Sequence, residues 1–199
     1  MSEGVRTLML DGIWGRPRRF EGLLEMLRER VGPAEIFHYD SSGKVSFDEL
    51  GTRLVDEIHR CNQPVNLIGF SMGGLVIRAA HLIDPHLPIR RAAFLNSPHE
   101  GSILAYALPW QGIKQIRPSD SFIQRLKTAE WDVPTLVSWC PFDTMIVPAR
   151  SARLKGADET ICCAVPVHVW PIFSRRIWRR VVSFLSGGLL ESTTMTKGQ

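Results

Sequence analysis

Short apolar stretches recur along the chain, and each is closed by glycine, proline or polar residues. A short apolar run with such boundaries is typical of a strand that is buried on both faces of a sheet. The first run, for example, ends at Asp11-Gly12, a turn-forming pair. The predicted strands are Val5–Leu10, Glu35–Tyr39, Val65–Phe70, Arg91–Leu95, Thr135–Cys140 and Thr160–Val165.

Helical periodicity fills the segments between these runs. Apolar side chains recur at every third or fourth position, the period of a helix with one buried face. Pro17 suits the first turn of the first helix, and Gly32-Pro33 ends it. Ser46, with Glu49 three residues later, forms a capping box for the second. The predicted helices are Phe20–Val31, residues 46–59, Met72–Ile83, Ser119–Lys127 and Ile172–Leu185.

The alternation of strands and helices predicts an α/β fold, an open and mostly parallel six-stranded sheet with helices on both faces. We expect a single domain over residues 1–190 and a flexible tail at 191–199. Residues 98–118 show no clear period and contain several prolines and glycines. This segment predicts a long irregular loop or insertion, and such loops in compact domains are often functional.

Composition excludes few classes of protein. The 199 residues are 44% hydrophobic and 22% charged, and the net charge of +4 does not by itself indicate a nucleic-acid partner. Arginine is clustered at two places, and the simplest interpretation is a solvated face. The alternative is a weak contact with an anionic membrane surface or with an acidic substrate. The clusters are Arg16, Arg18 and Arg19, and Arg175, Arg176, Arg179 and Arg180.

The cysteines indicate a reducing compartment. Cys61, Cys140, Cys162 and Cys163 lack metal-ligand spacing, and the adjacent pair points to opposite faces of a strand. We therefore expect four small, buried, apolar side chains. With no signal segment before the first strand and no apolar run of membrane-spanning length, the expected location is cytoplasmic.

The strongest chemical signal is Gly69-Phe70-Ser71-Met72-Gly73-Gly74, which fits the pattern G-x-S-x-G. A predicted strand ends at Phe70 and a predicted helix begins at Met72, so Ser71 lies on the turn between them. The flanking glycines allow strand and helix to approach closely, and the turn projects a serine hydroxyl from the carboxyl end of the sheet. The pattern indicates a nucleophile; the alternative is a serine that only caps the helix.

A nucleophilic serine needs a base and a carboxylate that orients the base. Asp143 and His168 follow the fifth and sixth predicted strands, which brings both to the same rim as Ser71. His168 is the only histidine after Asp143. The other acidic candidates lack this position after a strand, and the other histidines are interpreted as structural. These are Asp120, Asp132, Asp158, His38, His59, His81 and His86.

Two backbone N–H groups are needed to stabilise an oxyanion. The residue after the nucleophile, Met72, would supply one, and the loop after the first strand would supply the other. In that loop we favour Ile13, with Trp14 second, because Gly12 and Gly15 let the backbone bend toward a substrate. A plain strand-to-helix turn would also contain these glycines.

Four segments resemble the bacterial lipase and esterase branch of the α/β-hydrolase superfamily. Besides the serine motif they are Leu8–Gly12, Asn96-Ser97-Pro98-His99-Glu100-Gly101-Ser102 and Asp143–Pro148. The resemblance covers residues 5–186 and implies the strand order 2-1-3-4-5-6, with the extra antiparallel strands of larger members lacking. It also implies ester hydrolysis through an acyl-enzyme, without a cofactor or metal.

The sequence departs from this family at three places. Asp11 and Phe70 stand where members often have histidine, and no glycine lies beside His168. Neither of the first two positions carries catalysis, but an acidic Asp11 near the oxyanion loop could change substrate preference.

Apolar residues between Pro98 and Pro118 predict a partial lid over an acyl-binding pocket; the alternative is a packed connection. We expect Gly12, Trp14, His99, Leu104 and Trp110 to contact the substrate, a small-molecule or lipid ester. Two alternatives stay open, since a fold does not dictate a function. One is a thioesterase or acyltransferase that uses the same residues, and the other is a non-catalytic binding protein.

Overall fold

The computed structural model of the protein describes residues 4–164 and 167–187. Val165, the predicted end of the sixth strand, and the predicted tail at 191–199 lie outside the described residues. No helix in the described part is both long and apolar enough to cross a membrane.

Six strands form one sheet, and every neighbouring pair is parallel. Their order, β2-β1-β3-β4-β5-β6, confirms the predicted fold class and strand order. All carboxyl ends therefore lie at one edge, where the loops after the strands meet. The strands are β1 (Thr7–Leu10), β2 (Ala34–Ile36), β3 (Val65–Phe70), β4 (Ile89–Leu95), β5 (Thr135–Trp139) and β6 (Glu159–Cys162).

The predicted second strand, Glu35–Tyr39, is too long at its carboxyl end. β2 pairs only with β1, and their register ends with Met9 opposite Ile36. Beyond that pair, β1 itself has one residue left, Leu10, so the chain has no neighbour on which to extend the ladder.

The helices are α1 (Glu21–Arg30), α2 (Phe47–Arg60), α3 (Met72–Ile83), α4 (Gln111–Gln115), α5 (Ser121–Thr128) and α6 (Arg175–Ser186). The prediction that the last helix begins at Ile172 is wrong. Ile172 ends a short 3₁₀ turn that starts at Trp170, and the side chain of Ser174 then caps α6. The predicted cap of α2 is present, since Ser46 Oγ accepts a hydrogen bond from the N–H of Glu49 at 3.2 Å.

Residues 98–118 are more ordered than their sequence predicts. They contain a 3₁₀ helix, Ile103–Ala107, as well as α4. Each of the two helices has five residues, which is too short to produce a recognisable period in the sequence.

Two apolar layers cover the sheet. Leu8 and Leu10 of β1 face a layer that includes α2, α3 and α5, whereas Met9 faces the layer built by α1 and α6. This alternation follows from the two-residue period of a strand. The cysteines only partly fit the prediction of burial, because Cys140 and Cys163 are buried but Cys162 is exposed and Cys61 is half-buried. Cys162 lies on β6, at the edge of the sheet.

Two glycines make a very close contact between β3 and α3. A Cβ on Gly69 of β3 would lie 2.5 Å from the Cα of Gly74 of α3. A Cβ on Gly74 would in turn lie 2.0 Å from Ser97 Oγ and 2.9 Å from the ring of Phe94. Backbone and buried side chains therefore occupy the space that any larger residue would need, and α3 lies directly against the sheet.

We expect Gly74→Ala to lower the free energy of unfolding by about 1–3 kcal/mol, the usual cost of overpacking a core. This loss would exceed the gain of about 1 kcal/mol that Ala brings to a helix interior. Urea denaturation followed by circular dichroism measures the change. The double variant Gly74→Ala/Ser97→Gly removes the nearest obstructing atoms and should recover part of the loss; no recovery would show that Ser97 is not the obstacle.

Candidate active site

Ser71 lies on the sharp turn between β3 and α3. Its backbone adopts φ 50° and ψ −118°, a conformation rarely populated by residues other than glycine. The turn is held because Ser71 N donates a hydrogen bond to Leu95 O at 2.9 Å, across to β4. The glycines on both sides permit this geometry, so the strained conformation follows from the spacing that the sequence analysis identified.

Three side chains distant in sequence form one hydrogen-bonded chain. The Nε2 of His168 lies 2.9 Å from Ser71 Oγ, and its Nδ1 lies 2.7 Å from Asp143 Oδ2. The side chain of Asp143 is fully buried. Its other oxygen, Oδ1, accepts hydrogen bonds from the N–H groups of Met145 and Ile146 at 2.7 and 2.9 Å.

This arrangement fixes the direction of proton transfer. Asp143 is an acceptor at both oxygens, so Nδ1 of His168 carries the proton and Nε2 presents a lone pair to the hydroxyl of Ser71. A base in this position can remove the hydroxyl proton, and the buried carboxylate can stabilise the imidazolium that results. The geometry is that of an activated serine.

Two backbone N–H groups near Ser71, those of Ile13 and Met72, are candidates to stabilise an oxyanion. In the loop after β1, Gly12, Trp14 and Gly15 donate to Asp11 Oδ1, Ser41 O and Ser41 Oγ. The N–H of Ile13 finds no acceptor among the described residues. Met72 is the first residue of α3, where N–H groups lack partners within the helix. Both residues line the cavity beside Ser71.

Asp11 links the loop after β1 to Arg19 and Tyr39. It forms a two-pronged ion pair with Arg19, with N–O distances of 2.6 and 3.0 Å, and it is only 5% exposed. The hydroxyl of Tyr39 donates a hydrogen bond to the carbonyl oxygen of Asp11. We expected an acidic residue here to influence substrate preference, but its charge is already paired and Arg19, not Asp11, lines the cavity.

A cavity of about 490 Å³ opens at the serine, and its lining is mostly apolar. Of the predicted substrate contacts, Trp14 and Leu104 line it. Gly12 lies just behind, because a Cβ added there would come within 3.0 Å of Ser71 Cβ. The 3₁₀ helix Ile103–Ala107 and α4 contribute to the wall of the cavity, and so does the segment after β6.

Two predicted substrate contacts lie away from this cavity. His99 is 3% exposed and packs edge-on against Phe94, with ring centroids 4.7 Å apart. The turn after β4 directs its side chain into the core. Trp110 packs against Trp14 from outside the cavity, at 6.0 Å between ring centroids, and so supports a wall residue.

Asn96 is the site residue that the sequence analysis missed. It is fully buried, has φ 47° and follows β4 directly. Its Nδ2 lies 2.8 Å from the carbonyl oxygen of His168, 3.2 Å from Cys140 Sγ and 3.4 Å from Asp143 Oδ2. One amide group thus joins the loops that carry the carboxylate and the imidazole. The segment 96–102 carried a family resemblance, but nothing in it revealed this contact.

Ser102 fixes the acid loop to the wall of the cavity. Its hydroxyl donates to Met145 O and accepts from the N–H of Val147, both at 3.0 Å. A third bond runs from Ile103 N to Val147 O at 2.8 Å. These contacts hold the residues on both sides of the turn that begins at Asp143.

Solved structures resemble the whole of this architecture. A monoacylglycerol lipase of Paleococcus ferrophilus aligns with a TM-score of 0.72 at 17% identity, over 93% of this chain and 96% of its own. The mature lipase of Bacillus licheniformis gives 0.68 at 13% identity, over 92% and 93%. The chain has an α/β-hydrolase fold.

Lipase B of Aspergillus fumigatus gives a higher TM-score of 0.78 at 13% identity. The match covers 92% of this chain but only 52% of the fungal enzyme. No family model matches the sequence, and no curated protein matches it either. At these identities the comparisons establish the α/β-hydrolase fold, which lipases, esterases and other hydrolases share.

We expect Asn96→Ala to slow the reaction of Ser71 with a fluorophosphonate by roughly 10- to 100-fold, because small misplacements of reacting groups carry such costs. The matched control is Asn66→Ala. Asn66 is also a fully buried asparagine, but it lies near the amino end of β3 and makes no side-chain hydrogen bond among the described residues. Equal slowing in both variants would mean that only general stability had changed.

Acid should destabilise the fold through His99. Burial, and to a smaller extent the nearby Arg78, lowers the pKa of His99 well below its ordinary value of 6.5. Below pH 6.5 the unfolded chain takes up a proton that the folded state refuses, so stability falls as pH falls. The slope is about 1.4 kcal/mol per pH unit for one group.

Chemical denaturation of His99→Leu from neutral to mildly acidic pH tests this, since the variant should lose that part of the slope. The slope that remains includes a contribution from His81, because burial also lowers the pKa of His81. His86→Leu, at an exposed position, is the matched control for the histidine-to-leucine change itself. A slope identical in His99→Leu and in the unaltered protein would contradict the assignment.

Proposed function

We propose that this protein is a serine hydrolase that cleaves a carboxylic ester, with Ser71 as nucleophile, His168 as base and Asp143 as its orienting carboxylate. The observation that carries the proposal is the continuous contact from Asp143 through His168 to Ser71 at 2.7 and 2.9 Å, beside a mostly apolar cavity. Lipases among the structural neighbours support the same class of reaction.

The reaction begins with attack of Ser71 Oγ on the ester carbonyl, while His168 Nε2 accepts the hydroxyl proton. The new C–O bond produces a tetrahedral oxyanion, which the N–H groups of Met72 and Ile13 stabilise. Each such donor typically lowers the barrier by roughly 3 kcal/mol. Collapse breaks the bond to the alcohol, and His168 gives its proton to that leaving group.

Water completes the cycle. His168 removes a proton from water, the resulting hydroxide adds to the acyl-enzyme, and the acid leaves as Ser71 regains its proton. Asp143 keeps its charge throughout and stabilises the imidazolium formed in each half-reaction. This sequence needs no group beyond the substrate, water and these residues. Among the described residues, no three His, Cys, Asp or Glu side chains converge as a metal site.

The cavity favours an apolar acyl group. Its wall residues include Leu104, Leu108, Ile113, Ile116 and Met145, and among the described residues Arg19 is the only Arg, Lys, Asp or Glu that lines it. A polar acyl group would lose its hydrogen bonds to water in this cavity and would not regain them from the apolar wall. The alcohol portion would face the mouth of the cavity.

Ser71→Ala should lower kcat/KM for p-nitrophenyl esters by about 10⁴-fold or more. His168→Gln should have a similar effect, because the loss of either the nucleophile or its base removes most of the rate enhancement that the two produce together. His86→Gln serves as the control, since this exposed histidine lies outside the site.

A panel of esters of increasing acyl length, run beside matched thioesters, distinguishes an esterase from a thioesterase. An unaltered protein that hydrolyses none of them and reacts with no fluorophosphonate would be a binding protein on this fold.

A further inference from the structure

The exposed large apolar side chains are concentrated at one edge of the molecule. Ten are found among the described residues, and all but Ile83 lie in the connecting segments, short 3₁₀ helices included, that follow the carboxyl ends of β1, β4, β5 and β6. Because the sheet is parallel, these loops surround the mouth of the cavity. We define the apolar rim as Trp14, Leu104, Met145, Val167, Trp170 and Phe173, which are 44–58% exposed.

Both arginine clusters of the sequence reach the same edge. Arg16 and Arg18 lie in the loop after β1, and Arg175 and Arg176 lie in the first turn of α6, the helix that follows β6. All four side chains are exposed, and none forms a salt bridge or hydrogen bond with the described residues. We call these four residues the arginine rim.

Packing brings the two halves of the arginine rim to one side of the cavity. α1 and α6 are neighbours in the same apolar layer, and a Cβ on Gly22 of α1 would lie 2.9 Å from the ring of Trp178 of α6. The residues just before α1 and those that begin α6 are therefore adjacent. In the described parts of the two loops, residues 11–20 and 167–174, Asp11 is the only carboxylate, and Arg19 already neutralises it.

We propose that the apolar and arginine rims dock on the surface of an anionic lipid bilayer, with the cavity mouth facing the membrane. Tryptophan and phenylalanine suit the interfacial region of a bilayer, and unpaired arginines are attracted to its negative surface. A protein partner would match this edge less well. The mouth must stay accessible to an ester, and a fluid lipid surface can both cover the rim and supply one. This last argument rests on the proposed function; the binding itself does not.

The binding test is vesicle flotation, and it uses the 199-residue chain with the substitution Ser71→Ala so that no lipid is consumed. Vesicles of phosphatidylcholine are compared with vesicles of equal parts phosphatidylcholine and phosphatidylglycerol. We expect at least about tenfold stronger binding to the mixed vesicles, and loss of that preference at high salt. Equal binding to both, or none to either at low salt, would overturn the proposal.

Charge position is separated from net charge by two matched variants. The first changes Arg16, Arg18, Arg175 and Arg176 to Gln, and the second changes Arg30, Arg53, Lys127 and Lys155 to Gln. The second set is equally exposed but lies along the helices or toward the amino ends of the strands. The rim variant should lose about tenfold or more in affinity for mixed vesicles, and the distal variant much less. Equal losses would indicate net charge alone.

Insertion of the apolar rim has its own measurement. Brominated lipids should quench the tryptophan fluorescence of the protein with an unaltered apolar rim. The double variant Trp170→Ser/Phe173→Ser should bind both kinds of vesicle more weakly. A monomer-to-dimer change that removes vesicle binding would assign the rim to a second copy of the chain instead. If a short soluble ester is not hydrolysed by the unaltered protein while vesicle binding persists, the proposed function fails and this inference survives.

Discussion

The candidate site depends on the contact between two backbones without side chains, at Gly69 and Gly74. This contact presses the start of α3 against the end of β3, and the single residue between the two elements must then turn with a positive φ. The turn exposes the Ser71 hydroxyl at the carboxyl edge of the sheet and places the N–H of Met72 beside it. The imidazole of His168 meets the hydroxyl there at 2.9 Å.

The parallel sheet brings residues that are distant in the sequence close together at one edge. Loops after β1, β3, β4, β5 and β6 all emerge at the same edge because the strands are parallel. An oxyanion donor, a nucleophile, a carboxylate and an imidazole can therefore each come from a different loop. Asn96, in the loop after β4, joins two of those loops from beneath and gives the assembly a rigidity that separate loops would lack.

Sequence patterns were sufficient for the elements that carry the nucleophile, the carboxylate and the imidazole, although they misplaced the end of β2 and the start of α6. The strand-to-helix junction at Ser71 and the post-strand positions of Asp143 and His168 follow from short motifs and from the topology they imply. Contacts between distant segments leave no such trace. Nothing in the residues around Asn96 or Ser102 indicates that their side chains bridge to other loops, and His99 turned into the core because of a backbone turn that the sequence does not specify. Trp110 was expected to contact the substrate, but it packs against Trp14 and does not line the cavity.

The bonds between Ser102-Ile103 and the acid loop have a consequence for how the cavity opens. Three hydrogen bonds tie the base of the wall segment to Met145 and Val147, two and four residues beyond Asp143. Any backbone movement at Ser102-Ile103 would therefore displace the loop that carries the Asp143 carboxylate, which orients the imidazole of His168. The three bonds therefore favour admission of a bulky molecule by rotation of exposed side chains such as Leu104 and Trp14 over movement of the backbone.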